Sequence, residues 1–288
     1  MSSETPSFIR LMGHAVQRLF ADEAVPLAGN IAFRTVFSLF PFLIFLTALA
    51  GFFGTEAQAE RLVTYLLSIA PEQLVRPLAG EIKSILTVPR TGLLSIAALL
   101  TIWSAMAGVD SVRVGLNRAY DLREHRPAWH LYLLDIVFVV GAATVMIAFS
   151  FLLIILPLAI ATMEKYLPGT RANFETLIQL RYPIAMLMLF AGLHVAHRTL
   201  PARRLPPRKV LPGILLTLIV WVVLTAAFSE WLQNFNSFAS TYASLSGLFA
   251  AMFFIYLAAL VLILGGEFNR VLDLHSRSQA SGEADTQM

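Results

Sequence analysis

The chain has 288 residues, of which 57% are hydrophobic and only 14% are charged, and its mean hydropathy is +0.72. A soluble domain is about 25% charged, and a globule of this size has too little interior to bury so much apolar surface, so the composition argues against a water-soluble enzyme and predicts an integral membrane protein. The net charge of +3 is too small and too dispersed to indicate a nucleic-acid-binding surface, and the absence of cysteine excludes disulfides and thiolate metal sites.

Stretches free of Asp, Glu, Lys and Arg locate the membrane-spanning helices, each of which needs about 20 mostly apolar residues. In chain order, these stretches cover residues 35–55, 91–109, 136–163, 210–229 and 231–266. The last is too long for one span and begins with a polar run, so we interpret it as a loop to about Ser244 followed by a span over 245–266. A shorter segment, 182–197, contains two histidines but is otherwise strongly apolar. The sequence therefore predicts an all-α polytopic membrane protein with six transmembrane helices.

The distribution of Lys and Arg predicts the orientation of these helices. Basic residues are more numerous in the N-terminus, the second and fourth loops and the C-terminus than in the other loops, and they are densest at 203–209. The positive-inside rule therefore places both termini in the cytoplasm. The N-terminus lacks the pattern of a cleavable signal peptide.

Two further segments are amphipathic without being long enough to span. The helical spacing of their apolar residues predicts interfacial helices, one before the first span and one in the first external loop. The spaced residues are Phe8, Met12, Val16 and Leu19 in the first segment and Leu74, Leu78, Ile82 and Ile85 in the second. The tail from Ser276 is polar and is expected to be disordered. The predicted organisation is an amphipathic segment (1–27), a six-helix domain (28–270) and a cytoplasmic tail (271–288).

Several short motifs follow one another in a definite order between residues 28 and 270. They are 30–41 (NIAFRTVFSLFP), 102–104 (IWS), 116–121 (LNRAYD), 210–213 (VLPG), 242–247 (YASLSG) and 264–269 (LGGEFN). In this order they resemble the YihY family, also called virulence factor BrkB and formerly labelled ribonuclease BN. The resemblance implies a six-helix protein of the bacterial inner membrane that is often described as a transporter or permease.

Ionisable and polar residues gather near the cytoplasmic ends of the predicted spans. Such groups cost about 2.5–3.5 kcal/mol each at mid-bilayer, so they usually face water or a partner. They predict a hydrated, cytoplasm-facing cavity that receives an anionic or polar head group. The alternative is a set of interfacial anchors and ion pairs that hold helix ends. The candidate substrate-binding residues are Arg34, Asp110, Arg113, Asn117, Asp135 and Glu267.

Two prolines interrupt the apolar runs. Pro41 is expected to kink the first span, and Pro157 to kink the third span or to end it. Each is a candidate gating element, although proline kinks more often serve helix packing.

Catalysis finds little support in the sequence. Phosphodiester cleavage needs converging acid–base or metal-ligating groups, and the chain has no such motif, no phosphate-binding loop and no dinucleotide fingerprint. We therefore expect no enzyme activity, metal or cofactor, and reject the ribonuclease label. The favoured hypothesis is a transporter or permease of an anionic or amphiphilic, lipid-like substrate, with membrane lipids as partners and no nucleic acid. The alternative is a non-transporting scaffold in envelope assembly or virulence.

Overall fold

The computed structural model describes residues 8–53, 55–69, 79–80, 83–85, 87–88, 90–167, 169, 172, 174–234 and 239–286. Within these residues the chain forms helices and no strand. The main helices are α1 (Phe8–Ala21), α2 (Ala24–Phe53), α3 (Glu56–Ile69), α4 (Thr91–Ala119), α5 (Ala128–Ser150), α6 (Leu156–Tyr166), α7 (Glu175–Thr199), α8 (Pro207–Asn234) and α9 (Ala239–Thr286). The predicted all-α fold class is confirmed.

Six helical stretches are long and apolar enough to cross a membrane, as the sequence predicts. They are Ala24–Phe53, Thr91–Ala119, Ala128–Tyr166, Glu175–Thr199, Pro207–Gln233 and Gly247–Gln279. Large apolar side chains remain exposed along them; Trp103 is 74% exposed and Ile147 is 72% exposed. Apolar surface on this scale is stable only against hydrocarbon, so these faces are the lipid-facing ones.

The chain divides into two compact units, Met1–Phe33 with Val109–Met288, and Arg34–Gly108. In the first unit α8 packs along α9 and against α7, and α1 packs on α9. The contact between α1 and α9 is apolar, with Ala15 buried against Phe268 and Val271. Of the apolar residues that predicted the amphipathic α1, Leu19 is buried, whereas Phe8 and Val16 are exposed.

The second unit contains most of α2, the helix α3 and the first part of α4. Gly51 of α2 lies close to the chain before α4, where an added Cβ would be 2.8 Å from the carbonyl oxygen of Val88. Three of the four residues that predicted the second amphipathic helix, Leu74, Leu78 and Ile82, lie outside the described residues.

A glycine contact allows α8 and α9 to cross at very short range. A Cβ added to Gly213 of α8 would lie 2.0 Å from the carbonyl oxygen of Gly265 in α9, and one added to Gly265 would lie 2.2 Å from Thr217 Oγ1. Small residues of this kind let the backbones of membrane helices approach closely. This contact, which we call the glycine crossing (Gly213, Thr217 and Gly265), fixes the two helices against each other.

The two candidate gating prolines differ in their surroundings. Before Pro157 the third span widens into a π-helical turn, Phe151–Ile155, in which the Leu156 N–H bonds to the carbonyl of Phe151. The helix then continues through Pro157 to Tyr166, so this proline does not end the span. Pro41 lies inside the unbroken helix α2, in the second unit. A gating role for either proline stays a prediction.

Helix α9 is longer at both ends than the sequence analysis predicted. It begins at Ala239, inside the segment interpreted as a loop to Ser244, and it runs to Thr286 through the tail that was expected to be disordered. Nucleation is the costly step of helix formation. Once the packed central part of α9 is formed, helix-compatible residues such as Ala, Gln, Arg and Glu extend it cheaply.

Candidate functional site

Buried polar side chains are concentrated at one end of the first unit. They come from the end of α4, the start of α5, the end of α7 and the second half of α9, and main-chain groups at the start of α8 join them. We call this group the polar layer; its members are Arg113, Asn117, Tyr120, Asp135, His197, Glu267 and Asn269. Such burial is expensive in a membrane protein unless the groups are paired or reached by water.

Asn269 connects α9 to the start of α8. Its Oδ1 accepts the N–H of Gly213 at 2.6 Å, and its Nδ2 donates to the carbonyl of Val210 at 3.0 Å and to the Tyr120 hydroxyl at 2.9 Å. One main-chain donor and one main-chain acceptor thus fix the orientation of the amide. Pro212, which lacks an N–H, lies inside α8 between the two main-chain groups that Asn269 binds.

Tyr120 extends this chain of hydrogen bonds to His197. The Tyr120 oxygen accepts from Asn269, so its own O–H is free to donate to His197 Nδ1, 2.7 Å away. His197 then carries its proton on Nε2, which is buried and has no hydrogen-bond partner among the described residues. Burial raises the pKa of Tyr120, the nearby Glu267 charge raises it further and the Asn269 hydrogen bond opposes the shift, so the phenol remains protonated.

The turn after α4 brings a carboxylate back to Arg113. Asp121 adopts the left-handed conformation (φ 54°) and the Leu122 N–H bonds to the carbonyl of Asn117 at 2.8 Å, which closes α4. Glu124 then accepts from Arg113 Nη1 at 3.0 Å and from Asn117 Nδ2 at 3.2 Å.

Arg126 locks Glu124 against the end of α7. Its Nη2 donates to Glu124 Oε2 at 2.8 Å and to the carbonyl of Leu200 at 2.7 Å. Asn117 Oδ1 accepts the Ala202 N–H at 2.6 Å, which ties α4 to the same segment. Hydrogen bonds from Arg126 hold the pKa of Glu124 well below its ordinary range, although partial burial opposes this, so Glu124 is ionised.

A second ion pair joins α1 to α9. Arg18 Nε donates to Glu267 Oε2 at 3.0 Å, and its Nη2 contacts Asp22 at 3.1 Å. The Glu267 side chain is fully buried. Glu267 is therefore compensated by a residue of the amphipathic helix that precedes the first span.

Four buried atoms of the polar layer have no hydrogen-bond partner among the described residues. They are Nε of Arg113, Oδ1 of Asp135, Nε2 of His197 and Oε1 of Glu267. A buried polar atom left unpaired costs about 1–3 kcal/mol, so such atoms indicate places where water or a ligand completes the hydrogen bonding.

The structure brings five of the six predicted substrate-binding residues into the first unit. Arg113 pairs with Asp110 and with Glu124, and Asn117 shares Glu124 with it. Arg113, Asn117, Asp135 and Glu267 belong to the polar layer, and Asp110 borders it through Arg113. The sixth, Arg34, belongs to the second unit, where its Nη1 donates to the carbonyl of Ala107 at 3.1 Å.

A polar pocket of about 380 Å³ opens beside this network. It is lined by Glu23 and Leu27 of the first unit's N-terminal part and by Arg113, Asn117, Arg118 and Glu124. Arg113 is buried in its wall, whereas the side chain of Arg118 is 52% exposed. The pocket therefore contains one buried guanidinium, Arg113, and one half-exposed guanidinium, Arg118, whose Nε donates to the carbonyl of Asp22 at 3.3 Å.

Sequence reasoning did not assign a role to Arg18, Tyr120, Glu124, Arg126 or Asn269. Tyr120 and Asn269 stand inside the motifs LNRAYD and LGGEFN, and the second partner of Asn269 is inside VLPG. The ordered motifs were therefore a usable signal, because the structure places three of them in contact. Within the described part of the chain, no group of three or more His, Asp or Glu is placed to hold a metal ion.

Comparison with known proteins identifies the family. The model of the Virulence factor BrkB family matches residues 15–287, so the chain belongs to that family and the resemblance is confirmed. The ribonuclease-like protein YfkH of Bacillus subtilis is 27% identical over 260 residues, which are 89% of this chain and 92% of that protein. A UPF0761 membrane protein of Alteromonas mediterranea is 23% identical over 91% of this chain and 87% of its own length.

A second UPF0761 membrane protein, from Azoarcus sp., is 24% identical over 91% of this chain and 62% of its own length. These relatives belong to a family of membrane proteins that is not a known enzyme family. No solved structure matches this chain.

Proposed function

We propose that this member of the Virulence factor BrkB family is a permease of the bacterial inner membrane that carries an anionic, amphiphilic substrate, with the polar layer as its recognition end. The observation that supports this most directly is the polar pocket lined by Arg113, together with the four unpaired buried atoms of the polar layer. A network with a purely structural role is expected to satisfy its buried members, because an unsatisfied group costs more than a hydrogen bond gains.

Recognition would use exchange of partners at Arg113. This guanidinium is held by two carboxylates, Asp110 and Glu124, and an anionic head group entering the pocket would compete with Glu124 for Nη1. Arg118 on the pocket rim would attract the anion first, because its side chain is half exposed. From the Lys and Arg distribution we infer that both termini, and with them this pocket, lie on the cytoplasmic side.

Flux measurements in vesicles test the proposal. Purified protein is reconstituted into phosphatidylethanolamine and phosphatidylglycerol vesicles, and transbilayer movement of fluorescent phosphatidylglycerol is followed by quenching from outside. Loss of a charged hydrogen-bonding partner lowers binding by about 1.5–3 kcal/mol, so we expect Arg113→Gln to slow protein-dependent movement about tenfold or more. Arg118→Gln is the variant of choice if Arg113→Gln does not fold.

The matched control is Arg10→Gln, which removes an exposed cation of α1 outside the pocket. It is expected to leave the rate unchanged. Movement equal to that of empty vesicles, or equal rates for all three variants and the unchanged protein, would count against the permease.

The second candidate function is a non-transporting scaffold in envelope assembly. It is favoured by the ion pairs that join helix ends, such as Arg18 with Glu267 and Arg126 with Glu124. Full cellular function after combined neutralisation of Arg34, Asp110 and Glu267, together with protein complexes captured by crosslinking, would support the scaffold over the permease. In neither case do we assign the chain a catalytic activity.

A further inference from the structure

An apolar groove lies between α7, α8 and α9, away from the polar layer. Its volume is about 650 Å³. Its walls include Met186 and Leu189 of α7, Leu218, Trp221 and Ser229 of α8, and Phe254 of α9. All of these residues lie in the first unit and within membrane-spanning helices, so hydrocarbon is the medium at the open side of the groove.

The groove has the length of one leaflet. From Leu218 to Ser229 helix α8 rises by about 16 Å, which is about half of the 30 Å hydrocarbon core. The polar layer meets α8 at Val210 and Gly213, and the groove begins beyond that point and runs towards the other end of the helix. The groove therefore occupies the leaflet opposite to the polar layer.

Two polar side chains of the groove wall, Trp221 and Thr225, already have hydrogen-bond partners. The Trp221 Nε1–H donates to the carbonyl of Ala258 at 3.0 Å, which holds the indole in place. The Thr225 hydroxyl donates to the carbonyl of Trp221 at 2.8 Å. A wall of this kind favours an occupant without hydrogen-bonding groups, and its volume is within the usual range of about 300–1,000 Å³ for a bound small molecule.

A cation, Arg181, lies on α7 beyond the end of the groove that is farthest from the polar layer, five residues before Met186. Tyr182 precedes Met186 by four residues and so lies on the same face of α7, one turn farther out. The Arg181 guanidinium lies 4.6 Å from the centre of the Tyr182 ring and its Nη2 donates to the Tyr182 hydroxyl at 2.7 Å. Arg181 Nε is buried and has no hydrogen-bond partner among the described residues, so its hydrogen bonding is incomplete without a water or a ligand.

We propose that this groove binds one acyl chain of an anionic phospholipid whose phosphate faces Arg181. The apolar walls match the chain, their length matches a leaflet, and the guanidinium matches the phosphate. The site is separate from the polar layer, so this proposal does not depend on whether the polar layer moves a substrate.

Quenching of Trp221 by brominated lipid tests the site. Trp103, Trp129 and Trp231 are replaced by phenylalanine, and the protein is reconstituted in phosphatidylcholine vesicles that contain either chain-brominated phosphatidylglycerol or chain-brominated phosphatidylcholine. One basic residue near anionic lipid gives about a fivefold preference, so we expect Trp221 to select phosphatidylglycerol by about that factor. Arg181→Gln should abolish the preference while the protein remains folded.

Occupation of the groove itself is tested with a filling variant and a matched control. Ala226→Phe places a ring in the groove and should reduce the quenching of Trp221 by at least half. The control Ala142→Phe, on an exposed face of α5, should leave the quenching unchanged. Equal quenching by both lipids, an unchanged preference in Arg181→Gln, or no effect of Ala226→Phe would overturn the proposal. Should Ala226→Phe fail to fold, the Arg181→Gln comparison decides.

Discussion

The glycine crossing makes a sharp prediction for Gly213→Ala. The new Cβ would lie 2.0 Å from the Gly265 carbonyl oxygen and 2.5 Å from Asn269 Nδ2, distances that real Cβ atoms do not show. Because these neighbours are a main-chain carbonyl and an amide held by its own hydrogen bonds, the helices themselves must separate. The same separation breaks the hydrogen bonds of Asn269 to Gly213 and Val210.

The size of the effect follows from three contributions. Overpacking costs about 1–3 kcal/mol, and each lost hydrogen bond between membrane helices costs about 0.6 kcal/mol. The higher helix propensity of alanine returns about 1 kcal/mol. The free energy of unfolding is therefore expected to fall by about 1–3 kcal/mol.

Unfolding by sodium dodecyl sulfate in mixed micelles, followed by circular dichroism, measures this change. Gly141→Ala and Gly192→Ala are matched controls, since both glycines are helical and an added Cβ at either would meet nothing within 4 Å. The controls should be neutral or stabilised by up to about 1 kcal/mol. A Gly213→Ala protein as stable as the controls would refute the close crossing of α8 and α9.

Three further predictions concern the polar layer and the topology. Tyr120→Phe removes the hydroxyl between Asn269 and His197, so the free energy of unfolding should fall by about 1–2 kcal/mol. The ¹⁵N chemical shifts of the His197 ring should also change in NMR spectra, and unchanged shifts would contradict the assigned tautomer. The pKa of Glu124 is lowered in the folded protein, so its contribution to stability is complete above its ordinary pKa of 4.5 and declines as the pH falls below that value. The difference in unfolding free energy between the unchanged protein and Glu124→Gln should therefore shrink between about pH 5 and about pH 3. A difference that stays constant over this range would show that the ionisation of Glu124 does not stabilise the fold. Single cysteines at Arg204 and Gln233, introduced into a chain that has none, should be labelled from the cytoplasm and from outside, respectively, and the reverse result would invert the proposed orientation.

The number of spans could be predicted from the sequence because the cost of placing charge in hydrocarbon is local. A run without Asp, Glu, Lys or Arg, such as 210–229, marks a span whatever its neighbours are. The ends of the helices were less predictable. Ala239 begins α9 inside a polar run, since backbone hydrogen bonding continues through residues whose composition alone favours a loop.

The candidate site was predictable where charge alone revealed it. Asp110, Arg113 and Asn117 stand one helical turn or so apart, and that spacing predicts a shared face. Glu124 and Arg126 were missed because their role depends on a left-handed residue, Asp121, which turns the chain back towards α4. A long-range partner such as Arg18 for Glu267 leaves no periodic signal at all.

Helix α9 is uninterrupted, so it joins its membrane-spanning part directly to its polar C-terminal part. Its 48 residues make a rod of about 72 Å, more than twice the thickness of the hydrocarbon core. The helix packs closely against α8 at Gly265, and two turns farther along Asp273 forms an ion pair with Lys209 of α8 at 2.5 Å. Because the helix is continuous from Gly265 to Thr286, a rotation of its part in the bilayer would also turn its polar end.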